Sequence, residues 1–112
     1  MSLGLEKADA FREDFALRAV YYVRQVSDKI ARRFQKAVDS TLRGLCEQPG
    51  LGRARRFRHP KLQGLRSFAV ERPFHRLLIF YRADEKTLQA VRLVHGARDL
   101  PRRLAEPPGS EI

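Results

Sequence analysis

Arg76-Leu77-Leu78-Ile79-Phe80-Tyr81-Arg82 is the stretch whose reading decides the fold. Its central residues are apolar on both faces, as in a central strand covered on both sides. A hairpin-length polar connection, Ala83-Asp84-Glu85-Lys86, leads from it to a second strand, Thr87 to His95. Strict alternation there puts Val91 and Leu93 on one face and Ala90, Arg92 and Val94 on the other. Upstream, Leu65-Arg66-Ser67-Phe68-Ala69-Val70 places Phe68 and Val70 together on one face of a third strand. These segments predict an antiparallel sheet.

Working toward the N-terminus, Phe11, Phe15, Ala19, Tyr22 and Val26 recur at helical spacing and predict one buried helix face. Ser27 can accept from a free N–H at the start of a new helix, and Asp28 beside it complements the dipole. The second helix carries Ile30, Phe34, Val38, Thr41 or Leu42, and Leu45 on its apolar face, with Lys29, Arg32, Arg33, Lys36 and Arg43 on the others. Gln48-Pro49-Gly50 stops it, since Pro49 has no N–H and disfavours helix before it. Two helices with so short a break form an antiparallel hairpin. The predicted class is α+β: an N-terminal helical hairpin packed on a small, mainly antiparallel sheet. A short strand within residues 3–10 carries a weaker signal for joining it. Residues 1–106 are expected to form a single domain, followed by a flexible tail at 107–112.

The chain has 112 residues and a formal net charge of +10, from 23 Lys and Arg against 13 Asp and Glu. The excess is concentrated. Residues 51–82 carry nine bases against Glu71 alone. Within them, 51–64 has no clean period and is bounded by glycines, so it is expected to be a basic loop. A field of this kind attracts phosphate backbones or an acidic protein partner, although a solvated run of arginines is the simpler alternative. Phe57 within the loop would suit base stacking beside phosphate contacts. No stretch has the roughly 18 continuous apolar residues of a membrane span, and no secretory leader is expected from Met1-Ser2-Leu3-Gly4-Leu5-Glu6. One cysteine, Cys46, excludes an internal disulfide and fits a reducing, cytoplasmic setting. Cys46 itself is expected to be a small buried hydrophobe.

Phosphate loops, His-Glu-x-x-His and paired cysteines are absent, so neither a metal nor a cofactor is expected. Metal-free RNA cleavage needs a base, an acid and cations for the phosphorane charge. The cations are Arg55, Arg56, Arg58, Lys61, Arg66 and Arg82; the acid–base candidates are His59, His75, His95, Glu71 and Tyr81. Each has a plainer role. His59 and His75 fall in loops where a solvated imidazole is the default, His95 can bond locally at a strand end, and Tyr81 belongs to the core.

In order and spacing, Gly64-Leu65-Arg66-Ser67-Phe68, Leu78-Ile79-Phe80-Tyr81-Arg82 and Val91-Arg92-Leu93-Val94-His95-Gly96-Ala97-Arg98-Asp99-Leu100 closely resemble the ParE branch of the RelE/ParE toxin superfamily. Ala31-Arg32-Arg33-Phe34 and the run from Leu45 through Pro49-Gly50-Leu51-Gly52-Arg53 fit it too, so the resemblance covers roughly residues 10–104. It implies a type II toxin neutralised by a co-expressed antitoxin whose disordered segment folds on it; a homodimer is left open. ParE-like members poison DNA gyrase; RelE-like members cut mRNA on the ribosome, usually with a Tyr or His near the C-terminus. After His95 this chain has neither.

The expectation is therefore a gyrase poison that acts by binding, through Arg53, Arg55, Arg56, Arg58 and Lys61 of the loop and Arg98, Arg102 and Arg103 near the C-terminus. The alternatives are a ribosome-dependent endoribonuclease using His95 with Arg66 and Arg82, and a degenerate, non-toxic antitoxin binder. Gly96 is expected to end its strand at positive φ, with Arg98 and Asp99 pairing locally.

Overall fold

The computed structural model describes residues 2–96 and 100–109. Its elements in chain order are β1 (Gly4–Lys7), α1 (Asp9–Gln25), α2 (Asp28–Glu47), β2 (Arg53–Ala54), β3 (Arg66–Ala69), β4 (Leu77–Ala83), β5 (Thr87–His95) and α3 (Leu100–Ala105), with short 3₁₀ turns at Pro49–Leu51 and Pro60–Leu62. The five strands lie in the order β1-β5-β4-β3-β2. The pairs β2–β3, β3–β4 and β4–β5 are antiparallel, and β1 runs parallel to β5. The weak N-terminal strand signal thus corresponds to a real edge strand. Its parallel pairing makes the sheet mixed, with antiparallel neighbours predominating.

Helix α2 starts as its sequence requires: Ser27 Oγ accepts from the Ile30 N–H at 3.1 Å. It buries Phe34, Ala37, Val38, Thr41, Leu42, Leu45 and Cys46, and Gln48 closes it. Burial, then the neighbouring Glu47 charge, pushes the Cys46 thiol up, which suits the apolar role expected of it. Helix α1 buries Phe11 and half-buries Phe15, Ala19 and Tyr22. Val26 departs from the expected face: it is the residue that caps α1 and is 57% exposed. The hairpin covers one face of the sheet, forming a core with Leu77, Ile79 and Tyr81 of β4 and Leu88, Ala90 and Leu93 of β5.

The opposite face has a second core, built from Leu62, Leu65, Phe80, Val94 and Leu104, with Phe57, Leu78, Val91 and Leu100 packed against it. Central strand β4 is therefore covered on both sides, as its composition demands. The cover is the basic loop and α3. Strict alternation fails in β5. Phe80 pairs with Arg92 but Tyr81 pairs with Ala90, so Val91 is an extra residue in the strand. Ala90 and Leu93 consequently share the helical side, while Val91 and Val94 face the second core. The β4–β5 turn is held by Asp84, whose carboxylate accepts the Lys86 and Thr87 N–H groups at 2.8 Å each. These bonds hold its carboxyl below the usual carboxylate range.

The C-terminal segment is fastened through Arg92. Its guanidinium forms a 2.8 Å ion pair with Asp14 of α1 and donates to the carbonyls of Leu104 at 3.0 Å and Glu106 at 2.7 Å. Asp14 also accepts the Leu93 N–H at 2.9 Å. Gly96 does not take a positive φ; a Cβ there would sit 3.0 Å from the Leu78 side chain, which would have to give by a few tenths of an ångström. Asp99, like Arg98, lies outside the described residues.

Candidate target-binding surface

The basic loop is shaped by the arginines beside it. Arg82 Nε donates to the Gln63 carbonyl at 2.9 Å and its Nη2 to the Lys61 carbonyl. Arg66 Nη1 donates to the Gly52 carbonyl at 2.7 Å. Arg55 Nε donates to Ser67 Oγ at 2.8 Å, and its guanidinium lies 5.8 Å from the Phe80 ring centre. Burial, then the Arg53 charge, pulls the Arg55 pKa down from its ordinary value. Three of the cations are thus spent on carbonyls, a hydroxyl and a ring inside the protein, where they give the loop one conformation.

Tyr81 anchors the root of the loop. Its hydroxyl donates to the Pro49 carbonyl at 2.6 Å and accepts the Gly52 N–H at 2.9 Å. Burial pushes the hydroxyl's pKa up, against the opposing pull of the Gly52 N–H and Arg66, so the group stays a neutral donor. The approach admits no side chain at Gly52, where a Cβ would lie 2.2 Å from the hydroxyl oxygen. Tyr81→Phe is expected to cost about 1–3 kcal/mol, the usual penalty for stranding buried backbone partners. A thermal melt would show this as a fall of very roughly 4–12 °C; an unchanged melt would mean that water replaces the hydroxyl without loss.

The structure divides the expected binding residues. Arg53, Arg56, Arg58, Lys61 and Arg102 are exposed, Arg55 is half-buried in its internal contacts, and Arg103 is half-buried with Nη1 donating to the His95 carbonyl at 3.3 Å. Arg98 lies outside the described residues. Phe57 is not a stacking platform: its ring packs inward, 6.3 Å from that of Phe80. The exposed ion pair of Arg102 with Glu106, at 3.8 Å, is of the kind that holds little energy. Because Phe57, Leu62 and Leu65 of the loop segment share one core with Leu100 and Leu104 of α3, loop cations and Arg102 belong to the same covering layer of the sheet.

His95, Arg66 and Arg82 do not converge. Arg66 pairs with Tyr81, whereas His95 pairs with Leu77 two strands away; at ordinary strand spacings this separates them by ~16 Å. Arg82 follows Tyr81 in β4 and leaves the opposite face of the sheet from Arg66. His95 lies instead in a cleft of ~330 Å³ with Asp14, Leu17, Arg18, Tyr21 and Arg103. Sequence reasoning missed the fastening by Arg92 and Asp14, since the two are 78 positions apart.

The family model of the ParE toxin of type II toxin–antitoxin systems, parDE, matches residues 5–100. The chain belongs to the ParE toxin family. Among solved structures, this ParE-family fold resembles a chain titled as a chromosomal ParDE TA system from P. aeruginosa, with a TM-score of 0.68 and 18% sequence identity, covering 86% of this chain and 98% of that one. At that identity the likeness speaks for the ParE fold alone. No curated protein matches the sequence. In the described residues of this ParE-family chain, no helix is long and apolar enough to cross a membrane.

Proposed function

We propose that this ParE-family toxin acts by binding, and that its target is DNA gyrase, held on cleaved DNA. The observation that carries the proposal is the shared layer of exposed cations: Arg53, Arg56, Arg58 and Lys61 on a braced loop, with Arg102 on the helix packed against it. A rigid charged surface steers and docks a large partner without losing order on binding. The scatter of His95, Arg66 and Arg82 supports binding over cleavage, because acid–base chemistry needs its groups within reach of one phosphate. Arg98 and Arg103 are proposed to extend the same contact. Neutralisation is assigned to a cognate antitoxin with an acidic or amphipathic segment lying against the basic middle of the chain. Its affinity should fall as salt rises.

A gyrase supercoiling assay tests the target. Excess toxin is expected to abolish supercoiling and accumulate protein-linked linear DNA, and Arg56→Ala with Arg58→Ala and Arg102→Ala to reduce potency at least tenfold while the melt stays unchanged. Gyrase unaffected by a large molar excess would overturn the proposal and turn attention to the ribosome, with His95→Ala as the next variant. Healthy growth on induction without antitoxin would instead mark a non-toxic copy.

A further inference from the structure

Helix α2 carries a second cationic face. Lys29, Arg33, Lys36 and Arg43 occur at intervals of four, three and seven residues, which lines them up on the side of the helix opposite Phe34, Val38 and Leu45. The line is ~21 Å long at the helical rise. Ser40 falls in it too, and its hydroxyl donates to the Glu71 carboxylate at 2.7 Å. That bond, with the Glu71 N–H donated to Thr41 Oγ1 at 3.1 Å, holds the β3–β4 connection against α2. It brings Arg72 beside Arg33 and Lys36 around a depression of ~300 Å³ that also includes Phe74. All five cations are exposed, and none lies within ion-pair distance of a described carboxylate. The acids nearby are Glu71 in the depression and Asp28, Asp39 and Glu47 on the helix itself.

We propose that this face binds the phosphate backbone of double-stranded DNA. Duplex DNA presents about one negative charge per 1.7 Å of axis, so the cluster of Lys29, Arg33, Lys36 and Arg72 meets several phosphates at once, with Arg43 set apart from it by Ser40 and Glu71. A protein partner fits less well. Interfaces between proteins draw their energy from buried apolar and aromatic anchors. Among the described residues the exposed large apolar side chains are Leu5, Leu17, Val20, Tyr21, Val23, Val26 and Leu51, none of them on this helix. Single-stranded nucleic acid is disfavoured for a related reason, since no exposed aromatic residue stands in the row for a base to stack on. The face lies on the helical side of the sheet, away from the layer of the basic loop, and the proposal does not depend on gyrase being the target.

The test is fluorescence anisotropy with a labelled 20-base-pair duplex of arbitrary sequence, gyrase absent. Two variants each lose four charges: Lys29→Gln, Arg33→Gln, Lys36→Gln, Arg72→Gln on the face, and Arg53→Gln, Arg56→Gln, Arg58→Gln, Lys61→Gln on the loop. The first set is expected to weaken binding at least tenfold and to flatten the slope of log affinity against log salt by about three; the second set, less than threefold. Should the first set melt abnormally, the single exposed change Lys36→Glu replaces it, with an expected loss of about fivefold. Equal losses in both sets, a greater loss in the loop set, or no wild-type binding at ~50 mM salt would overturn the proposal. So would a first set that loses more affinity for a polyglutamate peptide than for the duplex.

Discussion

Asp14→Ala is expected to lower the unfolding free energy by about 3–5 kcal/mol, a large part of the total for a domain of this size. The pair it breaks is nearly sealed from water, with Arg92 and Asp14 side chains 9% and 7% exposed. Three bonds end on the Asp14 carboxylate: Arg92 Nε at 2.8 Å, Arg92 Nη2 at 3.1 Å and the Leu93 N–H at 2.9 Å. Without the carboxylate, the guanidinium stays buried with only carbonyls for company, and β5 loses the one bond made by Leu93 toward α1. Urea denaturation would measure the loss. Glu106→Ala, which breaks only the exposed 3.8 Å pair, should fall within about 0.5 kcal/mol of wild type. A loss below 1 kcal/mol for Asp14→Ala would mean that water enters and rescues Arg92. Amide exchange should rise first in residues 100–109, because the Leu104 and Glu106 carbonyls depend on the same guanidinium.

Phe34→Ala should cost a similar amount, about 3–5 kcal/mol, by a different route. Phe34 is fully buried, and its ring lies 5.1 Å from Phe15, 5.1 Å from Tyr22 and 5.4 Å from Phe74. Those neighbours come from α1 and from the β3–β4 connection, so the ring joins three parts of the chain. Removing it leaves a cavity that rigid surroundings cannot fill. Phe34→Leu keeps most of the volume and should lose less than half as much, while Phe57→Ala, at a half-exposed site, should also cost less. Similar losses for Phe34→Ala and Phe34→Leu would show that ring geometry, stacked on Phe15 and edge-on to Phe74, matters more than volume.

The legible parts of the fold were those governed by local rules. Ser27 caps α2 because a hydroxyl there meets a free N–H, and Pro49 ends it because it has none to give. The doubly apolar make-up of β4 announced cover on both faces, but not what supplies it. Helix α3 went unseen because six residues with Leu100 and Leu104 as their apolar pair show no sustained period. The bulge at Val91 was hidden because period-two alternation assumes that both strands advance together. The site was less legible still. Arg55, Arg66 and Arg82 were counted among the available cations, yet the loop's own carbonyls, Ser67 and Phe80 engage them. A basic residue set within or beside a run of core residues is a signal of internal pairing, and Arg92 among Val91, Leu93 and Val94 was the clearest instance.

Strand β1 pairs Gly4 with Thr87 and Lys7 with Ala90. The first strand of the sheet in chain order therefore waits for the last. Until position 90 has been synthesised it has no neighbour to bond, and the helical hairpin meanwhile lacks most of the sheet on which it rests. Long-range pairing of this kind slows folding and delays completion of the sheet until β5 is made. A chain stopped short of β5 loses two adjacent strands at once, β5 itself and the β1 edge that pairs with it.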